Sequence, residues 1–81
     1  MNILLKDDNL VLNFSNIISL RMEKSAGDMW SIIVYPLNGS PIDLKRFYRE
    51  DECQNTFNRL CERVAKCSED SLIDLGDLWE D

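Results

Sequence analysis

Residues 29–48 read MWSIIVYPLNGSPIDLKRFY, and the fold class turns on them. Trp30, Ile32, Ile33, Val34 and Tyr35 are β-branched or aromatic, the residue types that fit a pleated, packed surface. Met29 to Leu37 is apolar almost without interruption, which predicts a central strand covered on both faces. Pro36 falls near its end, where a missing N–H is tolerated. Asn38-Gly39 follows as a hairpin signal, because both central positions of a type I′ turn want positive φ. Pro41 to Tyr48 is the return strand, with Ile42 and Leu44 facing one way. The pattern changes phase between Leu44 and Phe47, which points to a bulge or a strand end.

Working back toward the start, Ile18, Leu20 and Met22 alternate with Ser19, Arg21 and Glu23, so Ile17 to Lys24 reads as a half-buried strand. Ser25-Ala26-Gly27-Asp28 supplies the turn after it, and Gly27 can take positive φ there. Ile3, Leu5, Leu10 and Leu12 flank Asp7-Asp8-Asn9, the pattern of two short strands around a tight turn. Ser15-Asn16 then breaks the run.

Beyond Tyr48 the period changes. Cys53, Phe57, Leu60, Cys61, Val64 and Cys67 recur at helical spacing and form one apolar face. Asp51 is the expected cap, with Gln54 completing an approximate capping box. Glu50 and Glu52 suit the positive end of the helix dipole. These segments together predict an α+β domain. A four- or five-stranded antiparallel meander is followed by one C-terminal amphipathic helix packed on the sheet, then a short acidic tail. Residues 1–68 form the expected domain and residues 69–81 the tail.

An 81-residue chain has room for one core and little surplus from which to carve a deep cavity. Its 44% hydrophobic and 30% charged residues are those of a globular domain. No apolar run nears the roughly 18–20 residues a membrane span needs. The apolar patch at the start lacks a basic flank before it and a small-residue cleavage site after it, so a cytoplasmic location is expected. The odd cysteine count argues against a disulfide framework. With no histidine in the chain and no CxxC spacing, Cys53, Cys61 and Cys67 make a poor zinc site. They read as small hydrophobes on the helix stripe.

Catalysis finds little to work with. Histidine, the commonest general acid or base, is missing, and the three glycines are scattered among turns rather than gathered in a phosphate loop. No nucleophile-elbow or metalloprotease motif occurs. The expectation is a non-enzymatic protein with no catalytic residue, cofactor, metal or small-molecule substrate.

Charge is distributed unevenly. Residues 1–68 are balanced, while Glu69, Asp70, Asp74, Asp77, Glu80 and Asp81 carry the whole net charge of −6. Leu72, Ile73, Leu75, Leu78 and Trp79 are interleaved with them, and a merely solubilising tail would not need them. Either Leu72–Leu75 docks on the protein itself, or the segment anchors to another molecule. The expected partner-binding residues are Asp74, Asp77, Leu78, Trp79, Glu80 and Asp81, with the tryptophan as anchor and the carboxylates as steering charge. One basic cluster, Lys45-Arg46-Phe47-Tyr48-Arg49, interleaves aromatics as nucleic-acid binders do. Its side chains divide between two strand faces, and Glu50, Asp51 and Glu52 offset it at once.

In size, acidity and layout the whole chain resembles small acidic phage and bacterial inhibitor proteins of the anti-CRISPR and toxin-immunity kinds. No diagnostic motif is shared, so no residue role carries over. The resemblance implies an inhibitor or accessory factor that covers a basic surface of a nucleic-acid-handling protein. Two other readings stand beside it: a self-associating adaptor that forms a homodimer, and a nucleic-acid binder acting through Lys45–Arg49.

Overall fold

Three strands pair as their turn chemistry dictates. In the computed structural model, which describes residues 3–67 and 70–79, β3 (Ile17–Lys24), β4 (Trp30–Pro36) and β5 (Ile42–Phe47) form an antiparallel sheet with β4 in the centre. A 3-10 turn, Ala26–Asp28, joins β3 to β4, with Gly27 at φ +74. The β4–β5 connection holds Gly39 at φ +104, yet it is a five-residue loop and not the expected two-residue turn. Pro41 explains the difference: it has no N–H to give the ladder, so pairing begins at Ile42 opposite Val34. The phase change in β5 is a bulge. Ile32 pairs with Lys45 and Ile33 with Asp43, leaving Leu44 as the extra residue, buried in the core.

The rest of the expected meander does not form. β1 (Ile3–Asp7) and β2 (Leu10–Asn13) make the predicted hairpin, but they belong to a second three-stranded sheet, ordered β2-β1-β6. The break lies at the 3-10 turn Phe14–Asn16. There the Asn13 side chain accepts from the Ser15 N–H at 3.0 Å and the Ser15 hydroxyl at 2.9 Å, which turns the chain out of the ladder.

The helix α1 (Glu50–Lys66) is mid-chain and not C-terminal. After it, β6 (Ser71–Asp74) runs parallel to β1, with Leu5 opposite Ile73, and leads directly into a short helix, α2 (Leu75–Trp79). Residues 71–79 of the expected acidic tail thus complete a sheet and a core, so docking on the protein itself, one of the two readings of Leu72–Leu75, is the one observed. Alternation within β6 shows why: Ile73 is buried and Leu72 is exposed.

The core draws on both sheets and both helices. Leu5, Ile32, Val34, Cys53, Leu60 and Leu75 are fully buried, and Leu78 is 1% exposed. α1 packs across β3, β4 and β5, while α2 packs on β1 and α1. Phe57 and Val64 are half-buried beside this cluster, as the helical stripe predicts. Two details of the stripe differ. Cys61 is exposed and Thr56 takes a buried place, because the inward face centres on Cys53, Thr56 and Leu60. Burial pushes the Cys53 thiol pKa up, keeping it protonated. Nor does Asp51 cap the helix. Arg49 occupies the cap position, and Asp51 binds the Arg49 guanidinium while accepting from the Glu52 N–H at 2.9 Å. Gln54 donates to Asn58 instead of closing a capping box.

β4 is central, yet the face that carries Ile33 and Tyr35 is only partly covered, with Ser31 alone of its residues there fully buried. Ile33 and Tyr35 lie half-buried there among polar neighbours. Arg21 stands 5.1 Å from the centre of the Tyr35 ring, the Tyr35 hydroxyl donates to Glu23, and Arg46 holds Asp43 at 3.0 Å. Among the described residues, no helix is long and apolar enough to cross a membrane.

Candidate partner-binding surface

The β6–α2 segment is held in place by two polar contacts, one at each end of α2. Asp74 Oδ1 accepts from the Gly76 N–H at 2.9 Å, so Asp74 acts as the N-cap of α2. A Cβ at Gly76 would stand 3.1 Å from that same oxygen, which gives this glycine a packing reason. At the other end, Arg59 Nη2 donates to the Leu78 carbonyl at 3.2 Å and to Thr56 Oγ1 at 3.3 Å. The last carbonyls of a helix lack intrahelical donors, and Arg59 reaches across from α1 to supply one.

Arg59 stands between two clefts. One, of about 220 Å³, is lined by Phe47, Glu52, Asn55, Thr56, Arg59 and Trp79. The other, of about 210 Å³, is lined by Arg59, Glu62, Arg63, Lys66 and Leu78. The first has aromatic walls and a carboxylate; the second is rimmed by cations. The Trp79 indole N–H is buried and has no acceptor among the described residues. Such a donor costs about 1–3 kcal/mol while it stays unsatisfied.

The residues expected to bind a partner fall into distinct positions. Asp77 is exposed in the first turn of α2, where the helix dipole favours a negative charge. Asp74 is exposed too, although one of its oxygens serves as the cap. Trp79 is half-buried at the cleft. Leu78 is in the core and only touches the floor of the cationic cleft, too buried to serve as an anchor. Glu80 and Asp81 lie outside the described residues.

Some cations and carboxylates elsewhere are matched locally. Arg46 pairs with Asp43 at 3.0 Å, Arg49 with Asp51 at 2.9 Å, and Lys24 with Asp28 at 3.4 Å. The Arg49 hydrogen bonds hold the Asp51 carboxyl below the usual carboxylate range. Surface pairs of this kind add little stability, but they cancel local field. Asp74 and Asp77 take part in no ion pair among the described residues. The Lys45–Arg49 cluster is therefore partly spent, while Asp77 is in no ion pair among the described residues and Asp74 is engaged only as the cap.

Sequence reasoning passed over Arg59, Thr56, Glu52 and Phe47 as parts of this surface. A signal was present. Glu52, Thr56, Arg59, Arg63 and Lys66 repeat the spacing of the apolar stripe Cys53, Phe57, Leu60, Val64 and Cys67, displaced by one residue. A polar stripe lying alongside an apolar one marks the rim of a helix contact, where long side chains reach over the neighbouring element. No protein-family model, curated protein or solved structure matches the chain, and the surface is read from its own geometry.

Proposed function

We propose that this chain is a non-enzymatic binding protein, an inhibitor or accessory factor that offers the β6–α2 carboxylates and Trp79 to a basic partner protein. The observation that carries the reading is the state of Asp77, exposed and outside any ion pair among the described residues, on the same short helix as Trp79, which walls a cleft together with Phe47. Carboxylates on a folded strand and helix are held in fixed positions, so they can meet Arg or Lys groups with less ordering cost than a flexible tail. Arg–carboxylate pairs add two-pronged geometry. The aromatic cleft supplies the apolar contact that charge alone does not. This is the manner of action implied by the resemblance to small phage and bacterial inhibitors, in which an acidic protein covers a basic, nucleic-acid-handling surface. The protonated Cys53 and the lack of histidine both favour binding over catalysis.

The test is affinity capture from the cells that produce the chain, run with the parent, with Asp74→Asn plus Asp77→Asn, and with Trp79→Ala. Point substitutions are required, because removing Leu78 would excavate the core. A basic protein held by the parent should elute as salt rises and bind the double variant more slowly. Trp79→Ala should chiefly hasten its release. Equal retention of that protein by all three forms, at every salt concentration, would rule out this surface.

A further inference from the structure

We infer that the cationic cleft on α1 binds a phosphoryl dianion, either inorganic phosphate or the end group of a small phosphate ester, between the side chains of Arg63 and Lys66. The inference stands apart from the acidic surface, since neither Asp74 nor Asp77 lines this cleft.

Helix geometry brings the cations together. Arg59, Arg63 and Lys66 stand at i, i+4 and i+7 of α1, a spacing that puts side chains on one face of a helix. Arg63 and Lys66 belong to its last turn, where the helix dipole favours cations. The dipole accounts for charge at that end. It gives no reason for Arg59, in the middle of the helix, to border the same cleft. Arg59 is held there through the Leu78 carbonyl at 3.2 Å and Thr56 Oγ1 at 3.3 Å. It serves as a fixed positive charge, so that part of the site is ordered before any ligand arrives. The N–H donors for the ligand are those of Arg63 and Lys66. Both are exposed, and neither joins an ion pair among the described residues, although Glu62 lies one helical turn before Lys66. Lys24, Arg46 and Arg49, by contrast, each hold a carboxylate, and Arg21 stands over the Tyr35 ring.

Charge and size select the ligand. Three cations against the carboxylate of Glu62 leave the cleft with a net charge of +2. A phosphate monoester carries about −1.5 to −2 at pH 7 and offers three strong acceptor oxygens, where a carboxylate brings a single charge. Arg63 can meet two of those oxygens with paired N–H groups, and Lys66 adds a compact point charge. The cleft holds about 210 Å³, less than the roughly 300–1,000 Å³ of pockets that engulf a drug-sized ligand. It therefore takes the phosphoryl group and leaves the remainder of an ester outside. A nucleic-acid strand is disfavoured by the chain's net charge of −6, which repels phosphates along the whole strand. A single phosphoryl group meets chiefly the local field.

Titration of the full chain with inorganic phosphate and with methyl phosphate, followed by amide NMR at constant ionic strength, tests the inference. The amides of residues 63–66 and of Leu78 should shift and saturate while those of β4 stay in place. Saturation by both ligands assigns a phosphate ester, and saturation by inorganic phosphate alone assigns the free ion. Arg63→Gln with Lys66→Gln should weaken binding at least about tenfold, the loss of one charge-assisted hydrogen bond. Lys6→Gln with Lys45→Gln removes the same charge from exposed positions elsewhere and should bind as the parent does. Melting of all three proteins in chloride should coincide, which separates lost binding from lost fold. Phosphate should then raise the melting temperature of the parent and of the Lys6/Lys45 variant, and not that of the Arg63/Lys66 variant. A parent that gives no saturable shift with either ligand would overturn the inference. So would equal binding by the two double variants, or acetate binding as tightly as phosphate. An oligonucleotide without a terminal phosphate that binds more tightly than methyl phosphate would likewise overturn it, by assigning the cations to a nucleic-acid backbone.

Discussion

The two sheets differ in how far along the chain each reaches for its strands. β3, β4 and β5 are consecutive, joined by a 3-10 turn and a glycine-bearing loop, and every pairing is local. The β2-β1-β6 sheet instead joins Ile3–Lys6 to Ser71–Asp74, with all the intervening elements between. Local pairing follows from turn chemistry and alternation, both written in short windows of sequence. The distant pairing has no turn to announce it. It forms because β1 presents a free edge and because Ile73, Leu75 and Leu78 fill the core left beneath it. One sheet is specified by its connections, the other by what it buries.

The comparison can be broken first at the core. Leu60→Ala, under the β3-β4-β5 sheet, and Leu78→Ala, in α2, should each cost about 2–5 kcal/mol in denaturant unfolding, as large-to-small changes at buried sites do. The informative result is their similarity. A Leu78→Ala protein as stable as the parent would return residues 70–79 to the status of an appendage.

A smaller effect is expected at the cap. Asp74→Ala removes the acceptor for the Gly76 N–H and should cost about 1 kcal/mol. Asp74→Asn keeps an oxygen at that position and should leave stability nearly unchanged while removing charge. Equal losses from both substitutions would mean that the charge, and not the cap, holds α2. This pair also keeps the structural duty of Asp74 separate from any part in binding.

The smallest effect belongs to the partly covered face of the β3-β4-β5 sheet. The hydrogen bond to Glu23 raises the Tyr35 phenol above its ordinary pKa of about 10. A raised value in the fold means that the neutral phenol is favoured there. That contribution is whole below the unfolded value and is lost as pH climbs through the folded one. Glu23→Gln should bring the Tyr35 titration, followed by phenolate absorbance, back toward the ordinary value. An unchanged titration would remove Glu23 as the cause.

These contrasts also say what could be read in the sequence. The bounds of β3 were legible, Ile17–Lys24, but not its whole face: Ile18, expected beside Leu20 and Met22, is 66% exposed because the register to β4 is irregular between Ile17 and Ser19. The bulge at Leu44 and the apolar face of α1 were legible through a periodicity that changes where the structure changes. β6 was not. Four residues, SLID, are too few for alternation to stand out, and the carboxylates around them have the composition of a solvated tail. The surface proposed to bind a partner was legible only in part. Asp77 and Trp79 could be singled out by charge and type, but nothing local tells Leu78, buried, from Leu72, exposed. That distinction depends on β1, which lies at the other end of the chain. Arg59 escaped for a related reason: its partner carbonyl is on α2, and a charged residue at a helix flank looks solvated until the neighbouring element is known.

Backbone amide exchange of Leu72, Ile73 and Asp74 tests most directly whether the acidic segment is a folded platform. The account predicts that amides bonded within the β1–β6 ladder are protected, and that they open together with those of β1. Exchange of all three at the rate of an unstructured peptide, while β4 remains protected, would contradict it.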